Sequence, residues 1–205
     1  MSNQDELRNY LKPILEEKSS KDVFKNSMRE LIPNCKTDDG KQHILLLFVS
    51  FTCSGIIFWF VSDLNKAIFS LIELSNSIIL VLFATIFTVS ALFISIINGR
   101  SLRYLLYPID SKDQDYKSIY LAFTRQFYGL MLYFLIFIAL NLILLFLMQN
   151  IQILYPIEFE IQIKVIFIIL ISVYFVLIVH ALIETKCFIY NLYQIFKISV
   201  AGAVL

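Results

Sequence analysis

His180 and Glu184 stand four residues apart, so on a helix they share one face. An imidazole beside a carboxylate can take up and release a proton, because histidine changes charge near neutral pH. The pair is therefore a candidate proton-active site. The competing reading makes both ordinary residues of a membrane boundary, with Glu184 paired to Lys186 or Arg125. Asn141 is a second polar residue in an apolar stretch, suited to bonding across helices or to a polar ring around a conduit. Ser77, Ala84, Thr88, Ala91 and Ser95 recur at steps of seven, four, three and four, which places them on one helical face. Small residues allow close helix packing, and the same hydroxyls around an axis of several copies would line a pore. Ser50, Ser54 and Gly55 offer a similar close approach on an earlier helix.

Much other chemistry is excluded. His43 and His180 are the only histidines, and no HExxH, CxxC or GxSxG occurs. The five glycines, at 40, 55, 99, 129 and 202, are too scattered for a phosphate-cradling loop, and Cys35, Cys53 and Cys187 have no metal or disulfide spacing. The expectation is a protein that is not an enzyme and that carries no cofactor.

The elements that hold these residues are membrane spans. Hydrophobic residues make up 59% of the 205-residue chain and charged residues 16%, against about a quarter charged in soluble domains. Charge-free runs from Ile44 to Ser62, Leu74 to Gly99, Gln126 to Ile157 and Val165 to Ile183 each approach or exceed the roughly 20 residues needed to cross hydrocarbon. An all-α membrane protein is predicted, with spans near 44–62, 75–97, 127–148 and 165–183. Two similar phrases, LLYPID from Leu105 and ILYPIE from Ile153, read as an interfacial Tyr, a helix-ending Pro and a capping carboxylate.

Orientation follows from positive charge, which resists translocation. Fifteen of the 17 Lys and Arg lie before residue 44, between 98 and 125, or after 183. Only Lys66 and Lys164 lie in the other two connections. Both termini and the loop 98–125 are therefore expected in the cytoplasm, in the inner membrane of a bacterium.

Residues 1–43 and 184–205 form the rest of the cytoplasmic layer. Leu7, Tyr10, Leu11, Ile14 and Leu15 have helical spacing, as do Phe24, Met28, Leu31 and Ile32, with Ser20 as a helix start and Pro33 as a stop. Phe188, Leu192, Ile195 and Phe196 extend the fourth helix inward. Eight basic and eight acidic side chains cancel across residues 1–43, so neither nucleic acid nor an anionic lipid surface is the expected partner. The apolar stripe, with Leu7, Tyr10, Leu11, Ile14, Phe24, Met28, Phe188 and Leu192 as its docking residues, suits a soluble protein or the inner ends of the protein's own helices.

Four spans, inward termini and a modest inner layer rich in Ile and Phe resemble the small membrane subunits of bacterial anti-phage defence systems, the Kiwa system in particular. The resemblance lies in the plan of the whole chain and transfers no individual residue. It implies a homo-oligomer of the inner membrane that senses infection and holds a DNA-binding cytoplasmic effector. The leading expectation is a non-enzymatic oligomeric scaffold or sensor docking a soluble partner, and the alternative is an oligomeric channel or pore-forming effector.

Overall fold

The computed structural model describes residues 19–33, 37–96, 119–154 and 161–204, and every element among them is an α-helix. These are α1 (Ser20–Glu30), α2 (Asp38–Phe60), α3 (Leu64–Ile96), α4 (Ile119–Leu154) and α5 (Ile161–Val204). Four of them, α2 to α5, are long and apolar enough to cross a membrane. The protein is thus an all-helical, multi-pass membrane protein.

Local chemistry sets the helix ends. The Ser19 hydroxyl caps α1 by accepting the Asp22 N–H at 3.1 Å, and Thr37 caps α2 by accepting the Gly40 N–H at 3.1 Å. Asp38 and Asp39 add negative charge to the first turn of α2, where the helix dipole favours it. Asp63 starts α3 by accepting the Lys66 N–H at 3.0 Å. Only Val61, Ser62 and Asp63 separate α2 from α3, which makes the two an antiparallel hairpin. α4 stops at Leu154, two residues before Pro156.

The helices are longer than the charge-free runs. α3 already includes residues 64–74, α4 begins at Ile119 inside the expected 98–125 loop, and α2 begins at Asp38, so His43 belongs to the first span's helix. At 1.5 Å per residue the 44 residues of α5 extend about 66 Å, twice the roughly 30 Å of hydrocarbon. Its extension past the fourth span, anticipated from Phe188 onward, is continuous with the span. Charge marks where hydrocarbon ends, whereas backbone hydrogen bonding carries the helix past it.

The chain forms two compact units. One comprises residues 33–83 and 133–184 and contains segments of all four spans. Its core includes Ile68, Ile72, Ile79, Phe134, Ile178 and Ala181, all buried. Gly55 lets α2 approach α5, since a Cβ there would stand 3.6 Å from the Ser172 Oγ. The other comprises residues 1–32, 84–132 and 185–205. Phe123 sits between Phe93 and Phe188, with ring centroids 4.5 and 5.1 Å away. In this unit α1 lies against α4 at Gly129, where a Cβ would meet the Ser27 carbonyl oxygen at 2.6 Å.

Candidate functional site

Both histidines of the chain, 137 residues apart in sequence, meet in the first unit. His43 projects from the second turn of α2 and His180 from α5, and their facing nitrogens, Nε2 of His43 and Nδ1 of His180, are 3.1 Å apart. One turn beyond His180, Glu184 sets its Oε1 3.6 Å from the Nδ1 of His43. His43 and Glu184 are buried, and His180 is half-buried. Tyr133 of α4 closes the cluster: its ring stands edge-on to His180 at 5.7 Å, and its hydroxyl donates to the Leu177 carbonyl at 2.8 Å.

Hydrogen-bond logic restricts the protonation pattern of this row. Two neutral imidazoles facing through nitrogen need one hydrogen between them. If His180 supplies it, His43 keeps its own hydrogen on Nδ1, on the side that faces the Glu184 oxygen. The opposite tautomer would set a bare nitrogen against a carboxylate. The favoured order is therefore Glu184, His43, His180, with a hydrogen on Nδ1 of each ring. A proton added at His180 Nε2 can be answered by movement of the shared hydrogen to His43. His180 and Glu184 thus do share a face, as their spacing requires, and His43 is the member that the spacing could not provide. Its only signal was rarity, as one of two histidines at the edge of an apolar run.

A second polar cluster lies deeper in the same unit and uses Asn141, which is wholly buried. Its amide donates to Ser75 Oγ at 3.3 Å, and its carbonyl accepts from the Tyr174 hydroxyl at 2.7 Å. The hydroxyls of Ser75 and Tyr174 also touch, and Ser75 donates to its own helix at the Ile72 carbonyl, 2.8 Å away. α3, α4 and α5 are thereby tied together by groups that hydrocarbon would leave unsatisfied. Ser75 and Tyr174 were not singled out in the sequence. Their signal is subtle, because hydroxyls at these positions look like single exceptions in apolar runs.

The remaining candidates fall differently. Ser77, Ala84, Thr88, Ala91 and Ser95 are all exposed, so this face does not pack within the protomer. Ser77, Thr88 and Ser95 donate to their own helix at the Glu73, Ala84 and Leu92 carbonyls. The face that packs is the parallel seam of Ile72, Ser75, Ile79, Ile86, Ser90 and Phe93, offset by two residues and so about 200° around the helix. Bulky Ile and Phe bury more surface than Ala and Ser, which decides the rotation of α3. Phe188 is fully buried in the aromatic core and so presents no exposed surface within the protomer. Leu192 and Met28 are half-buried, whereas Phe24 is exposed. α1 buries Ser27, and the expected Leu31 is buried at its C-terminal cap, while Phe24 and Ile32 are exposed; Gly129 admits the small Ser27 side of the helix. Leu7, Tyr10, Leu11 and Ile14 lie outside the described residues.

Comparisons with protein-family models, with curated proteins and with solved structures find no match for this chain.

Proposed function

We propose that this protein is a non-enzymatic, oligomeric membrane scaffold or sensor that docks a soluble cytoplasmic partner, in the setting of bacterial anti-phage defence. The observation that carries the choice of scaffold over pore is the burial of Asn141. A polar conduit needs its amide and hydroxyls directed at an axis, and here the amide is engaged with Ser75 and Tyr174 inside the protomer. Self-association is supported by the outward small-residue face of α3, since lipid offers no hydrophobic drive and close packing must supply it. The orientation proposed is both termini in the cytoplasm of the inner membrane, supported by the fifteen-to-two distribution of Lys and Arg.

The docking surface in this proposal is the inner layer without Phe188. Phe24, Tyr190 and Tyr193 are exposed, and the charge balance of residues 1–43 suits a protein partner better than nucleic acid. Substituting Phe24, Tyr190 and Tyr193 together by Ser should release a co-purifying partner while the protein still inserts. Retention of that partner by the triple variant would contradict this surface. Ion conduction by the purified protein alone in a planar bilayer would favour the pore instead.

A further inference from the structure

We propose that His43, His180 and Glu184 form a binding site for a divalent transition-metal ion of the zinc class. One ligand atom from each of the three side chains can be chosen so that all lie within 4.8 Å of one another. Ligands about 2.0–2.1 Å from a tetrahedral zinc stand about 3.3 Å apart, so the 3.1 Å between the imidazole nitrogens is already near the required spacing. Glu184 follows His180 by one turn; its Oε1 stands 3.6 Å from Nδ1 of His43, the nitrogen on the other edge of the ring from Nε2, so an ion held by the facing imidazole nitrogens requires the carboxylate to rotate toward them. Two imidazoles and one carboxylate are the donor set of open zinc sites, in which water or a further group takes the fourth position. Nitrogen donors select against calcium and magnesium, which take oxygen.

Placement supports the assignment. Both histidines of a 205-residue apolar chain converge here from different helices. The Glu184 carboxylate oxygen and the facing imidazole nitrogens lie together on two helices, all of them atoms able to donate a lone pair to an ion. A divalent ion would engage all three lone pairs and neutralise the carboxylate at once. The Tyr133 hydroxyl is committed to the Leu177 carbonyl and serves as a wall, not as a ligand. Bound metal would pin α2 to α5. The inference does not depend on the scaffold reading.

The test is cobalt and zinc binding by the full chain, purified in detergent without a histidine tag. The expected result is one ion retained per protomer, with the visible absorption of four-coordinate cobalt and no thiolate charge-transfer band, because none of the three proposed ligands carries sulfur. His43→Gln and Glu184→Gln should each weaken binding about tenfold or more. The His180→Cys variant guards against misfolding: it should still bind cobalt and should gain the thiolate band. The proposal is overturned if the wild-type protein retains no metal, if a folded His43→Gln or Glu184→Gln variant binds as tightly as wild type, or if His180→Cys binds without that band.

Discussion

Asn141 is the residue whose removal the fold should feel most sharply among the intramembrane polar groups. Its amide satisfies Ser75 and Tyr174, and no water reaches that depth to replace it. Asn141→Ala should destabilise the protein by about 1–3 kcal/mol, from lost interhelical bonds and two hydroxyls left without this partner. Thr88→Val, which removes an exposed hydroxyl bonded to its own helix, should change stability by less than about 0.5 kcal/mol. Thermal unfolding in detergent measures both, and equal effects would contradict the assignment of Asn141 as the knot. Legibility at this scale was uneven. Asn141, His180 and Glu184 stood out because hydrocarbon makes polar residues costly. His43, Ser75 and Tyr174 did not, because what they do depends on partners dozens of residues away.

Glycine separates the helix contacts at the scale of elements. Gly129→Ala would push a methyl against the backbone of α1 at Ser27, and a backbone atom cannot swing aside. A loss of about 1–3 kcal/mol is expected, with α1 displaced from α4, and protease accessibility near residues 19–33 should rise. Gly55→Ala meets only Ser172 Oγ at ordinary contact distance and should be tolerated or slightly stabilising. The rotation of α3 gives a second contrast. Ala84→Leu with Ala91→Leu alters a face that is exposed in the protomer, so folding should survive while the mass in detergent shifts toward monomer. Ile79→Ala, on the packed seam, should instead lower stability by about 2–5 kcal/mol. Apolar run length and charge made the four spans legible before any coordinates, but periodicity could not rank two heptad-spaced seams on the same helix. Ridge volume settles that ranking, and only neighbouring helices reveal it. The α1 stripe held only in part for the same reason: Leu31 is buried and Met28 half-buried, whereas Phe24 has the right spacing but is exposed, and the room available at Gly129 fits Ser27.

The molecule as a whole carries most of its apolar surface outward. No more than a third of any span's most apolar window is buried, so lipid or further copies must cover the rest. Orientation is tested by fusing a reporter active only outside the cytoplasm to Leu205. No signal is expected from the Lys and Arg distribution, and a strong signal would reverse the topology. Charge asymmetry is readable from one sequence because it acts on single loops, whereas an assembly depends on surfaces that meet only between chains. The scaffold account is tested most directly by the native mass of the protein released from membranes in mild detergent, co-expressed with its neighbouring genes. It predicts an integer multiple of 23.9 kDa plus one soluble protein in fixed proportion. A lone 23.9 kDa protomer that carries no soluble protein would contradict it.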